Sequence, residues 1–374
     1  MFPVILCLLP TAFCLLVLAS HPGRVGLKSL LLLPAVFSQV PLQPLNWLSP
    51  PPRRETFRFD YSVGQVEGDI YLPGPSGRYG ALLVLLGARP LGRDEPILVR
   101  FAEGVSRAGA VVMIPASSNL AAGKVLPEEV DAIVEDVALL RSHDDVDPNR
   151  IGILGFSVGG SLAVLASADP RLAGQLAFVN TFGGYNDARD LTRAVSTQSL
   201  EYAGVNEAWQ PHQLTVWVVA RQIVDTLPPG ADRDVLEELY VREEPSAREE
   251  VGRLSPLGRV VLELLDGLSP AGADEALALL PEATQERLAR ISPAAVLDRV
   301  HTPLLVMHDR ADGFVPFTES ERLVARAPAG AVELFTEFEL FSHVVPDRPP
   351  SSPALVVELA KLCRQMYRML LYIL

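Results

Sequence analysis

The chain has 374 residues, enough for one catalytic domain of about 250 residues with an insertion or an appended segment. Its net charge is -13, and its 32 Lys and Arg residues form no basic cluster, which excludes nucleic acid as a partner. Three cysteines, Cys7, Cys14 and Cys363, supply neither a disulfide framework nor a CxxC metal pattern.

Residues 1–20 carry no charged side chain, and that length can span a bilayer. No Lys or Arg precedes the apolar run, and Leu18 suits a cleavage site poorly, so the segment is expected to remain as an anchor and not to be removed as a signal peptide. Arg24, Lys28, Arg53, Arg54 and Arg58 follow it, a bias that places the downstream domain on the cytoplasmic face of a lipid bilayer. Ser29 to Gln39 is apolar but too short to span before Pro41 and Pro44, and is expected to lie in the interface within a Pro-rich juxtamembrane segment, residues 21–54. Were Ser29 to Leu48 to cross instead, the domain would lie on the other side. The folded domain is expected to begin near Glu55.

From Glu55 to Leu72 two strands rich in β-formers meet at a turn containing Gly64. Ala81 to Leu86 is a continuous apolar run of the kind buried on both faces of a parallel sheet. Leu98, Phe101, Ala102 and Val105 then take the spacing of one helical face, stopped by Gly109. Ala110 to Ile114 reads as a strand, Val130, Ile133, Val134 and Val137 as a helix, and Ile151 to Phe156 as a strand again. Two more strands, Leu176 to Thr181 and Pro303 to His308, are separated by more than a single crossover needs. Residues 187–297 therefore read as an inserted helical cap, with Ser255, Pro256 and Gly267 bounding one helix and Ser292 with Pro293 opening another. The cap is expected to shape the substrate pocket. Around it, residues 55–186 and 298–374 form an α/β core with a mostly parallel sheet, helices on both faces, and ligands beyond the carboxyl ends of the strands.

Gly155, Phe156, Ser157, Val158 and Gly159 spell G-x-S-x-G between a buried strand and an apolar helix, with Gly160 next. That strand-turn-helix is the setting of a nucleophile elbow, where small neighbours at Gly155 and Gly159 relieve collisions around a strained Ser157. Taken with the alternation of elements, this segment resembles the α/β-hydrolase superfamily, in particular its dienelactone-hydrolase-like and prolyl-oligopeptidase-like branches, from about Glu55 to the C-terminus. In these families an acid follows the next-to-last strand in a pattern like H-G-x-x-D-x-x-V-P. His308 to Pro316 match it, so the resemblance implies Asp312 as the acid. Asp309 replaces the usual Gly and is a competing carboxylate, read as a turn residue, and Asp187 is a weaker alternative acid.

An imidazole must accept the Ser157 proton and return it. Of six histidines, His343 follows the last strand, Ala331 to Phe335, and completes the chain order Ser, Asp, His. His143 and His212 are out of order, and His301 and His308 flank a strand and read as structural. Val158, next to the nucleophile, is expected to offer one backbone donor to the oxyanion. The resemblance implies a second from the loop after Ala81 to Leu86, at Ala88. No cofactor motif appears, and none is expected. The chemistry these residues point to is hydrolysis of a small-molecule carboxylic ester through an acyl-Ser157 intermediate. A peptidase acting on short peptides with the same residues, or a non-catalytic binding module on the same scaffold, are the alternatives.

Overall fold

The computed structural model describes residues 19–37, 39–89, 92–346 and 352–374. Most of the expected anchor, residues 1–18, lies outside the described residues.

Eight strands make one sheet: β1 (Arg53–Tyr61), β2 (Gly64–Leu72), β3 (Tyr79–Leu85), β4 (Val111–Ser117), β5 (Val146–Phe156), β6 (Phe178–Phe182), β9 (Leu304–Asp309) and β10 (Val332–Phe338). Their order across the sheet is β1-β2-β4-β3-β5-β6-β9-β10. β1 pairs antiparallel with β2 and β2 with β4, while the pairs from β4 to β10 are parallel. The central strands are buried along nearly their whole length, because each faces helices on both sides. Their side chains alternate: Leu83 and Ile153 point into one apolar layer, Leu82 and Leu154 into the other.

The first layer is covered by the helix Glu129–Ser142, by Val158–Ser167 and by the insertion. The insertion contains the helices Ala188–Thr197, Gln213–Val224, Pro256–Asp266, Pro270–Leu279 and Glu282–Arg290. Ser255 caps its helix by accepting the Gly258 N–H at 3.3 Å, and Gly267 ends it at φ 120°. Two features differ from the sequence reading. A short antiparallel hairpin, β7 (Ser199–Tyr202) with β8 (Val205–Ala208), interrupts the helices. Ser292 and Pro293 open only a single 3-10 turn, Pro293–Ala295, because the Ser292 hydroxyl is committed to accepting the Ala188 N–H and donating to the Leu288 carbonyl.

The second layer is covered by three helices: His21–Val36, Pro96–Ala108 and Ser352–Ile373. The first of these corrects the expected boundary at Glu55. Ser20 caps it, and Val25, Ser29, Leu32 and Ala35, at helical spacing on one face, are all buried. It packs on the other two helices, closely enough that a methyl at Gly104 would lie 2.7 Å from Leu32 Cδ1. The helical part of that stretch, Ser29 to Val36, therefore contributes an apolar stripe to the protein core, where the sequence reading put Ser29 to Gln39 in a membrane interface. The apolar C-terminus packs in the same layer through Met369, Leu370 and Ile373. None of the described helices is long and apolar enough to cross a membrane.

Candidate active site

β5 ends at Phe156, and the next helix begins at Val158, leaving Ser157 alone in the turn at φ 54° and ψ -129°. A non-glycine residue in that region carries about 1–3 kcal/mol of strain. The turn is held by the Ser157 N–H donating to the Phe182 carbonyl of β6 at 2.8 Å. Its neighbours must be glycine: a Cβ at Gly155 would come within 2.3 Å of the Gly159 carbonyl oxygen, and one at Gly159 within 2.6 Å of the Leu85 and Leu86 carbonyl oxygens. The loop after β3 presses on the serine from the other side, where a Cβ at Gly87 would sit 3.0 Å from Ser157 Cβ. Ala88 follows in that loop, and Val158 is the first residue of a helix, where the N–H has no partner within the helix. Both backbone donors named from the sequence thus belong to segments that adjoin Ser157.

Asp312 and His343 come from loops after β9 and β10 and meet at 2.6 Å, Asp312 Oδ2 to His343 Nδ1. His343 is 7% exposed and sits at φ 60°. With Nδ1 on the carboxylate, Nε2 points away from it, and His343 and Ser157 line the same cavity. The other Asp312 oxygen accepts the N–H groups of Phe314 and Val315 at 2.7 and 3.0 Å. Burial alone would raise this carboxyl pKa, but the charge of His343 and the hydrogen bonds from His308 and His343 outweigh it and hold Asp312 well below the usual carboxylate range.

Asp309 does other work. Its Oδ2 accepts the N–H groups of Leu340 and Phe341, at 2.8 and 2.7 Å, and its Oδ1 accepts that of Ala311 at 2.9 Å, so it ties the loop carrying His343 to the end of β9. Asp187 caps the helix Ala188–Thr197 through the Arg189 N–H. Neither carboxylate reaches His343 in the structure.

Several supporting residues carried no sequence signal of this role. His308 is fully buried, and its Nε2 faces two acceptors, the Val315 carbonyl at 2.9 Å and Asp312 Oδ2 at 3.3 Å, so Nε2 carries the hydrogen and Nδ1 accepts from Ser320 Oγ. Trp209, from the insertion, donates its indole N–H to the Asp312 carbonyl at 2.8 Å. Gly183, at φ 64°, passes so close that a Cβ there would meet His343 and Asp312 at 3.1 and 3.2 Å. Phe314 stacks on His343, ring centroids 4.7 Å apart, and His212 stacks on Phe314 at 4.0 Å. His143 and His301 lie away from this cluster, with His143 facing Glu55.

The sheet order, the antiparallel first strands and a serine at positive φ between β5 and the next helix decide the architecture. This is the α/β-hydrolase fold. No family model matches the sequence, and no curated protein does. Among solved structures the chain is similar to a puromycin-hydrolysing peptidase from Mycobacterium tuberculosis, with 15% identity, a TM-score of 0.50, and 90% of this chain and 40% of that one covered. It is likewise similar to a candidate dipeptidyl aminopeptidase IV from Bacteroides ovatus, with 14% identity, a TM-score of 0.50, and 85% and 36% covered. The chain thus spans well under half of either peptidase. At such identities the likeness is one of fold.

The cavity beside Ser157 has a volume of about 420 Å³. Among the described residues lining it, the polar side chains are Arg89, Ser157, His212 and His343, and the rest are apolar or glycine. The insertion contributes His212 and Leu214. One inserted helix, Gln213–Val224, thus reaches the pocket at its start, while the insertion otherwise covers the first apolar layer and most of the cavity wall comes from the second.

Proposed function

We propose that the protein is a serine esterase that cleaves a small-molecule carboxylic ester through an acyl-Ser157 intermediate. His343 Nε2 takes the Ser157 proton as the hydroxyl oxygen attacks the carbonyl carbon, and Asp312 orients the ring and stabilises the imidazolium. The N–H groups of Val158 and Ala88 receive the oxyanion. His343 then returns the proton to the leaving alcohol, and water, deprotonated in turn by His343, releases the acid and regenerates Ser157.

The observation that carries an ester over a peptide is the cavity lining, which among the described residues presents no carboxylate and no side-chain amide. A peptide brings an N–H and a carbonyl with every residue, and beyond Arg89, Ser157, His212 and His343 the walls offer these groups no polar side chain, whereas an acyl chain needs none. The hydrogen-bonded Asp312 and His343 favour catalysis over a non-catalytic binding role, since a mere scaffold has no use for a strained serine lining the same cavity as an oriented imidazole. A fluorophosphonate probe tests the chemistry: Ser157 should be labelled in the wild type and labelling should vanish in Ser157→Ala. A folded wild type that takes no label would refute the enzyme.

The same reading includes attachment to a bilayer through the apolar residues 1–20, with the catalytic domain on the cytoplasmic face. Leu30, Trp47 and Leu48, which follow that segment, are 57%, 73% and 68% exposed, a placement suited to contact with a lipid surface.

A further inference from the structure

Resting on the esterase reading, the geometry points to a substrate class: we infer that the cavity is a channel for the acyl group, and that the enzyme prefers unbranched acyl chains of about eight to twelve carbons, measured by the helices of the second layer. The helix Ser352–Ile373 runs antiparallel to the parallel strands. Glu358 accepts the N–H of Glu339, just past the carboxyl end of β10, and Ile373 backs onto Gly80 at the start of β3. Ser157 stands at the carboxyl end of β5, so increasing residue number along this helix is increasing depth below the nucleophile.

Leu362, Met366 and Met369 all line the cavity. Their i, i+4, i+7 spacing puts them on one face, and seven residues of helix span about 10 Å. The opposite walls come from Leu98 and Phe101 on the helix Pro96–Ala108, and Val36 closes the edge from His21–Val36. The ~10 Å of depth from Leu362 to Met369, with the space between them and Ser157, is what an extended alkyl chain of about eight to twelve carbons occupies, at roughly 1.3 Å per carbon. Methionines at the deep end suit an alkyl chain, since an unbranched thioether side chain adapts to a flexible ligand without leaving voids. A bulky acyl group would meet three packed helices.

Hydrolysis of p-nitrophenyl esters from acetyl to hexadecanoyl reads this out. The expected kcat/KM rises about threefold to fourfold per added methylene and turns over between eight and twelve carbons. Met369→Phe, which narrows the deep end, should move the optimum to shorter chains, and Phe101→Ala, which opens the wall, to longer ones. Opposite shifts cannot come from a general loss of folding. A flat response from acetyl to decanoyl in an enzyme that a small fluorophosphonate labels at Ser157, or an optimum moved by neither variant, would overturn the channel and leave the esterase standing. Acetate esters of alcohols of increasing length should show no comparable optimum. If they do, the cavity holds the alcohol and the assignment to the acyl group is wrong. Absence of Ser157 labelling would instead remove the esterase reading itself.

Discussion

Asp309 and Asp312 stand three residues apart and are told apart by what each oxygen accepts. Asp312 gives one oxygen to His343 and the other to two backbone N–H groups, while Asp309 spends both oxygens on three backbone N–H groups. Asp312→Asn should therefore lower kcat by about 10⁴ by turning the His343 tautomer. Asp309→Asn places an NH₂ group against at least one N–H donor, a conflict worth about 1–3 kcal/mol, so it should lower Tm and reduce kcat by less than about 100-fold. Steady-state rates and thermal melts of the two variants check this, and the reverse ranking in kcat would show that Asp309 orients the histidine. At Ser157 a backbone strain that costs stability holds the hydroxyl at the tip of the turn, where the loops bearing Gly87 and Gly183 complete the surroundings.

Among the elements, the junction between the sheet and the insertion depends on Glu319. This residue is on the helix Phe317–Arg326, and its buried carboxylate accepts the N–H groups of Asn186 and Asp187, both at 3.0 Å, where the chain leaves β6 for the insertion. Burial raises its pKa from 4.5 to about 7, against the lowering effect of those hydrogen bonds. The folded state then binds more protons than the unfolded chain between those values, so this group makes stability fall as pH rises from about 4.5 to about 7, by on the order of 3 kcal/mol at most, and contributes no further slope above. Glu319→Gln keeps an oxygen acceptor and removes the ionisation. Its Tm should exceed that of the wild type at pH 8 and approach it at pH 4.5. Melts of both proteins across that window decide, and parallel curves would mean that the Arg322 guanidinium, 3.4 Å from Glu319 Oε1, keeps the carboxylate ionised throughout.

For the whole molecule, the two apolar layers divide the tasks. The insertion thickens the first layer and reaches the site through Trp209, His212 and Leu214, while the cavity beside Ser157 lies in the second, under helices from both ends of the chain. The His21–Val36 helix belongs to that second layer, so a test of membrane attachment should leave it in place and remove residues 1–18 alone. The full chain is expected in the membrane fraction, and the shortened chain should shift to the soluble fraction, more completely with Trp47→Ser and Leu48→Ser. A reporter fused after Leu374 and active only in the cytoplasm should be active. A full chain found in the soluble fraction would exclude the anchor, and an inactive reporter would reverse the orientation.

The sequence determined the parts of this protein that follow from local pattern. Buried parallel strands are continuous apolar runs, so β3 to β6 and β9 were legible within a few residues, and so was the elbow, because its steric demands select Gly155 and Gly159 directly. Asp312 was implied by the resemblance of His308 to Pro316 to the family pattern and His343 by its place after the last strand, and the structure brings the two to 2.6 Å of each other. Three things needed the tertiary structure. The apolar stripe of His21–Val36 has the same composition whether lipid or protein covers it, and only the packing of Gly104 against Leu32 shows which does. The supporting roles of His308 and Trp209 rest on contacts between residues far apart in the chain or fixed by a loop, to which periodicity is blind. The channel is a space between elements that are each read correctly alone, and its walls meet only when residues 36, 101 and 369 are folded onto one face of the sheet.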